Sequence, residues 1–142
     1  MKVSEIMTYG IEGVQSSDTI LHAAVRMKDL DIGSIAVFEK DSAVGILTDR
    51  DIAVRVVGQS LNPVHTSVGE VMTKDPVACQ EDNDLEQAAK IMENYKVRRL
   101  LVKDGGGKVS GILTIDDIAL RGGSQLVTEV IKEVKQRIGP KR

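Results

Sequence analysis

Apolar residues recur along this chain at two different spacings. At Ile20, Ala23, Ala24, Met27 and Leu30 they fall three or four apart, and they do so again at Leu85, Ala88, Ala89, Met92 and Tyr95. That spacing collects side chains on one face of an α-helix. Ser17–Asp18 and Asp82–Asn83 precede the two stretches as candidate N-caps. Short β-rich runs follow, SIAVFE (Ser34–Glu39) and RLLVKD (Arg99–Asp104), each ending in a turn, KDSA or DGGGK. A second apolar run comes next, AVGIL or VSGIL, so each pair predicts a β-hairpin. Each hairpin runs into a further helix at Thr48 or Thr114. A last stripe at Val127, Val130, Ile131, Val134 and Ile138 predicts an extra amphipathic helix before the tail PKR.

The pattern is written twice. VGILTDRDIAVR (Val44–Arg55) matches SGILTIDDIALR (Ser110–Arg121) at eight of twelve positions, and VSEIMT (Val3–Thr8) matches VGEVMT (Val68–Thr73) at four of six. Each copy reads as short strand, helix, strand, strand, helix. A unit of about 60 residues buries little core alone, so two copies are expected to pack as one body with approximate two-fold symmetry. The fold class is α+β: two tandem β-α-β-β-α repeats plus a C-terminal amphipathic helix. The expected boundaries are 1–60, 61–122 and 123–142, with Gly58–Ser67 as the linker.

The strand–Thr-x-x-Asp–helix junction carries the candidate chemistry. A helix start exposes unpaired N–H groups and a partial positive charge, which suits a phosphate. Gly45 and Gly111 remove a side chain near that approach. Asp51 and Asp117 offer two acceptor oxygens each, suited to the paired hydroxyls of a ribose. The same Thr-x-x-Asp pattern also forms a capping box, which closes a helix end and binds nothing.

The ordered pieces EIMT, AAVRM or AAKIM, IGSIAVFEKDSAVGILTDRDI and VRRLLVKDGGGKVSGILTIDDI resemble a tandem pair of CBS domains over about residues 3 to 122. The resemblance implies a regulatory module, not an enzyme, that binds an adenosine nucleotide (AMP, ADP or ATP) in the cleft between the repeats. One site would use Thr114 and Asp117, with Ile11 and the Gly33–Ser34–Ile35 edge near the base. Its counterpart would use Thr48 and Asp51, with Val77 and Val97–Arg98 near the base. Relatives often carry a basic pair at the start of the second strand to meet phosphates. Here Arg98–Arg99 fills that place in one copy, whereas Gly33–Ser34 stands in the other, where Arg50 is a partial substitute. The Asp117 site is therefore expected to dominate phosphate binding. Relatives also often have a proline where this chain has Ala36 and Leu101.

Composition narrows the alternatives. Apolar residues make up 42 %, charged residues 28 % and aromatics 2 % of the 142 residues, with a net charge of −2. The core must be aliphatic, and neither charge nor aromatic content suits nucleic acid. No apolar run reaches the length of a membrane span or a signal peptide, and a single cysteine, Cys79, cannot form an internal disulfide. These features favour the cytoplasm. His22 and His65 have no neighbours at metal-ligand spacing, Gln80–Asp84 reads as an acidic helix start, and Gly105–Gly107 reads as a turn, so no metal and no required cofactor are expected. Other readings are a sensor of S-adenosylmethionine or NADH, or a ligand-free interaction module. A homodimer is expected, formed through Ile52, Val56, Val57, Ile118, Leu120 and the added helix, with a client protein as a further partner.

Overall fold

The computed structural model of the chain describes residues 1–135, so Ile138 and the PKR tail lie outside the described residues. Along the chain run α1 (Val3–Ile6), β1 (Thr8–Tyr9), β2 (Gly13–Gln15), α2 (Ile20–Leu30), β3 (Ser34–Glu39), β4 (Ser42–Thr48) and α3 (Asp49–Asp51). A π-helical turn at Ile52–Val56 and a 3₁₀ turn at Val57–Gln59 continue α3. Then come α4 (Val68–Val71), β5 (Thr73–Lys74), β6 (Ala78–Gln80), α5 (Leu85–Tyr95), β7 (Arg99–Lys103), β8 (Val109–Thr114), α6 (Ile115–Arg121) and α7 (Ser124–Lys135). The α+β class and the repeated hairpins are as the sequence pattern predicts.

The elements gather into two compact units that do not follow the repeats. The first unit is Ile11–Pro76; the second joins Met1–Gly10 to the chain from Val77 on. Each unit therefore receives its short N-terminal piece from the other copy. The first unit holds the sheet β2-β3-β4-β5, and the second holds β6-β7-β8-β1. In both sheets the first pair is parallel and the other two are antiparallel. The close match of VSEIMT to VGEVMT makes this exchange possible, because either segment presents the same buried face. Val3, Ile6 and Met7 are buried in the second unit, and Val68, Val71 and Met72 in the first.

The cores are aliphatic. In the first unit α2 buries Ile20, Ala23 and Met27 against Ile35, Val37 and Leu47. In the second, α5 buries Leu85, Ala88, Ala89 and Met92 against Leu100, Val102 and Leu113. Leu30 and Tyr95, expected on the apolar face, are instead exposed, because each helix ends there. The next residue, Asp31 or Lys96, turns left-handed (φ 55° and 56°) and rotates the chain off the helix axis. The helix starts also shift slightly from expectation. Thr19 caps α2 by accepting from the His22 N–H, and Asp84 forms a capping box with Gln87 on α5. The segment expected as a linker is tied down: Ile20 and Leu21 donate backbone N–H bonds to Thr66 and Pro63. Leu101 N–H donates to the Val77 carbonyl at 2.9 Å, a bond that proline at this position could not make.

α7 packs on α5 and α6. It buries Val130 and Val134, with Leu126 and Val127 beside them, in the core of the second unit. Ile131, expected on the same stripe, is 38 % exposed. Among the described residues no helix is long and apolar enough to cross a membrane.

Candidate functional site

The two motif copies sit at equivalent junctions, one in each unit. In the second unit β8 delivers Thr114 to the start of α6. The Thr114 hydroxyl accepts from the Asp117 N–H (3.1 Å), and Asp117 Oδ2 accepts from the Thr114 N–H (2.9 Å). In the first unit Thr48 and Asp51 repeat this reciprocal pair at 3.0 Å each way. Both motifs are therefore complete capping boxes. A carboxylate that caps through one oxygen keeps lone pairs on both, so capping does not exhaust the ligand capacity of either Asp.

The exchanged N-terminal piece reaches each motif. Thr8 Oγ1 donates to Asp117 Oδ1 at 3.5 Å, and Thr73 Oγ1 donates to Asp51 at 3.3 and 3.4 Å. These threonines were not among the expected site residues. Their signal was present in the repeated MT of EIMT and EVMT, but which aspartate each would meet depends on the exchange. The motif glycines have a related role. A Cβ on Gly45 would lie 2.6 Å from Met72 Sδ and 2.7 Å from the Thr73 carbonyl oxygen. A Cβ on Gly111 would run into the Thr8 carbonyl. The expectation that these glycines open an approach for phosphate is thus replaced: they admit the neighbouring strand at close range.

The surroundings of the two aspartates differ. Asp51 is buried, 8 % exposed, and its Oδ1 lies 3.8 Å from Arg55 Nη1. The same guanidinium nitrogen donates to the Val71 and Met72 carbonyls at 2.8 and 3.2 Å, closing the end of α4. Asp117 is half-buried. Its helical counterpart of Arg55, Arg121, is exposed and makes no ion pair among the described residues. Arg55 was not singled out from the sequence; the π-turn that aims it cannot be read from apolar spacing.

The remaining expected residues divide between the units. Beside Asp117 in the second unit, Arg99 is the register partner of Thr114, and the Arg98 carbonyl accepts the Ile115 N–H at 3.0 Å. Both arginines are half-buried, and neither side chain has an ion-pair partner among the described residues. Val77 and Val97 are half-buried against that unit's core. The first unit holds Ile11, Gly33, Ser34, Ile35 and Arg50. Ser34 is the register partner of Thr48, and the Gly33 carbonyl accepts the Asp49 N–H at 3.0 Å. Ile35 is fully buried in β3, across the ladder from Leu47, so it presents no exposed surface to a ligand. Arg50 is exposed.

Other candidates are accounted for structurally. Cys79 lies on β6, 2 % exposed, and burial pushes its thiol up to about 11, so it is protonated and poorly nucleophilic near neutral pH. His22 Nε2 lies 3.9 Å from Asp18 Oδ2. Asp104 accepts from the Gly106 and Lys108 N–H groups, and Gly107 takes a φ of 83°, so the triple glycine is a hairpin turn. Among the described residues no group of three or more His, Cys, Asp or Glu could hold a metal ion.

Two parallel-then-antiparallel sheets, each with a capped Thr-x-x-Asp helix, define a tandem α+β repeat protein. The CBS domain family model matches residues 3–58 and 68–121, and the chain belongs to that family. It is 36 % identical to the CBS domain-containing protein YhcV of Bacillus subtilis over 118 residues, covering 83 % of each chain. Its fold is similar to that of a conserved CBS domain protein from Thermoplasma acidophilum (TM-score 0.83, 24 % identity, 94 % of this chain and 75 % of that one). It is also similar to a CBS-domain containing protein from Agrobacterium tumefaciens (TM-score 0.75, 27 % identity, 84 % and 98 %).

Proposed function

We propose that this CBS-domain pair is a regulatory sensor of an adenosine nucleotide (AMP, ADP or ATP), with Asp117 as its principal ribose acceptor. The observation that carries the reading is the pairing of a half-exposed carboxylate, Asp117, with two arginines lacking ion-pair partners among the described residues. Arg99 stands directly across the β-ladder from Thr114. A carboxylate accepts hydroxyls and guanidinium groups bind phosphate in charge-assisted, often bidentate bonds. Asp51, already engaged by Thr73 and beside Arg55, is the weaker acceptor.

The assembly belongs to the same reading. Val56 and Ile118, expected at a dimer interface, are 1 % and 0 % exposed and belong to the cores of their own units. Val57 and Leu120, at 72 % and 83 % exposed, remain as apolar contacts of a homodimer, together with the half-exposed Ile52 and the exposed side of α7 at Ile131. The module acts in the cytoplasm on a client protein and has no catalytic role.

Calorimetric titration of the full chain with ATP and 2′-deoxy-ATP tests the ligand reading. Loss of the 2′-hydroxyl leaves a carboxylate acceptor unpaired and is expected to cost about 1–3 kcal/mol. Equal affinities would reject the role given to Asp117, and tighter binding of S-adenosylmethionine than of any phosphate-bearing ligand would reject the role given to the arginines.

A further inference from the structure

The exchanged helix of the first unit, α4, is held by a side chain that the second unit does not match. α4 runs only from Val68 to Val71 and leads straight into β5. The last carbonyls of a helix lack partners within it and carry partial negative charge, so they attract a cation. One guanidinium nitrogen supplies it. Arg55 Nη1 donates to the Val71 and Met72 carbonyls at 2.8 and 3.2 Å and lies 3.8 Å from Asp51 Oδ1. Thr73, the next residue, donates its hydroxyl back to Asp51 at 3.3 and 3.4 Å. Asp51, Arg55, the end of α4 and Thr73 thus close a ring of contacts within one unit. The ring has little slack, because Met72 and Thr73 already press on β4: a Cβ at Gly45 would lie 2.6 Å from Met72 Sδ and 2.7 Å from the Thr73 carbonyl oxygen. In the second unit Thr8 reaches Asp117 at 3.5 Å, but Arg121, at the end of the regular α6, makes no ion pair among the described residues.

From this ring we infer that Arg55 is a positioning residue that couples the Asp51 carboxylate to α4. Its guanidinium sits between an opposite charge on one side and helix-end carbonyls on the other. A ligand hydroxyl that draws Asp51 Oδ1 away removes the ion-pair partner, and the hold on α4 and β5 weakens with it. By reciprocity, loosening α4 frees Asp51 to accept. Occupancy of the first motif is therefore felt at Val68–Lys74, the stretch that leads the chain into the second unit at Val77. The second motif lacks this link. The coupling does not rest on the nucleotide reading: neutralising Asp51 stands in for a ligand, and a chain that bound no ATP would still show it.

Hydrogen exchange of the ligand-free full chain, read by mass spectrometry, tests the coupling. Arg55→Gln should speed exchange in residues 68–74 about tenfold or more, as expected for losing two hydrogen bonds from a charged donor. Asp51→Asn keeps an oxygen to accept from the Thr48 N–H but removes the charge. It should speed the same exchange about twofold to fivefold, the range for a half-exposed ion pair. In the double variant Asp51→Asn should add nothing to Arg55→Gln, because both act through one contact. Arg55→Lys, which keeps a cation, should recover part of the protection, and it carries the same comparison should circular dichroism show Arg55→Gln unfolded. Arg121→Gln should leave residues 3–9 unchanged. Four results overturn the proposal: exchange in 68–74 indifferent to Arg55→Gln; exchange there indifferent to Asp51→Asn, which would leave Arg55 a plain cap on α4; the same gain from Asp51→Asn with and without Arg55, which would route the effect through Thr73; or equal acceleration in residues 20–30, which would mean a general loosening of the unit.

Discussion

The two units begin from nearly the same motif and finish it differently. After Thr114 the chain forms a regular α6, stops at Gly122–Gly123, where both N–H groups fold back onto the Ile118 carbonyl, and turns into α7. After Thr48 only three residues are α-helical before the π-turn and the 3₁₀ turn, and Ser60 closes the segment in a left-handed conformation. The π-turn has a consequence: it carries Arg55 to the end of α4 and beside Asp51. One copy has thus turned its motif inward, into a lock between α3 and α4, while the other leaves its aspartate half-exposed. A duplicated sequence supplies the scaffold twice, and a few residues at the helix end decide what each copy does with it.

The sharpest way to break this comparison is through the core that α7 seals. Ile118→Ala is expected to destabilise by about 2–5 kcal/mol, the range for deleting a fully buried aliphatic side chain. Ile52→Ala, at the half-exposed counterpart, should cost clearly less. Urea unfolding followed by circular dichroism measures both. Equal losses would show that α7 adds no burial to its groove.

The motifs themselves give the next largest contrast. Asp117→Ala is expected to lower ATP affinity by about tenfold or more, since hydrogen bonds to charged groups contribute about 1.5–3 kcal/mol. Asp51→Ala should lower it only a few-fold but should destabilise the fold more, because it strips a cap, the Thr73 contact and the Arg55 partner together. Arg99→Ala should weaken ATP more than adenosine. Calorimetry on the three variants, with melting curves alongside, reads each effect; a greater affinity loss in Asp51→Ala than in Asp117→Ala would reverse the assignment.

Much of this was legible in the sequence. Period-3.6 apolar stripes at Ile20–Met27 and Leu85–Met92, and paired β-rich runs, placed α2, α5 and both hairpins. The Thr-x-x-Asp spacing placed both capping boxes. What escaped has identifiable causes. The exchange of N-terminal pieces did, because VSEIMT and VGEVMT fit either sheet and local pattern does not choose between them. So did the roles of Gly45 and Gly111, because the strand that crowds them is distant in sequence. The π-turn was hidden as well: its residues IAVRV are ordinary helix formers, and tertiary bonds from Arg55 to Val71 and Met72 accompany the wider turn.

A smaller effect compares the two caps directly. Thr48→Ala and Thr114→Ala should each cost about 1 kcal/mol, the usual loss on removing an N-cap hydroxyl. Thermal unfolding would separate a purely structural cap from a ligand contact: with saturating ATP the penalty should grow for Thr114→Ala and stay level for Thr48→Ala.

The smallest contrast lies in the exchanged segments, where α4 and α1 differ in their caps. Glu70 accepts from both the N–H and the hydroxyl of Ser67, at 2.8 and 3.0 Å, and these bonds hold its carboxyl below the usual carboxylate range. In α1 the matching Glu5 accepts from the Lys2 N–H alone, because lysine stands where Ser67 stands in the other copy. A depressed carboxylate pKa stabilises the fold at pH above the ordinary carboxylate value, and that contribution disappears as pH falls through the lowered value. Acidification should therefore loosen α4 only in the strongly acidic range. Nuclear magnetic resonance titration of the Glu70 side chain measures the effect, and Ser67→Ala, which removes the hydroxyl but keeps the backbone N–H that lowers the carboxyl most, should move its midpoint only part of the way toward that of an unperturbed glutamate. A midpoint unmoved by that substitution would mean that the Ser67 hydroxyl has no part in setting it. The effect on overall stability should be slight, since Glu70 is exposed and its charge is screened by solvent.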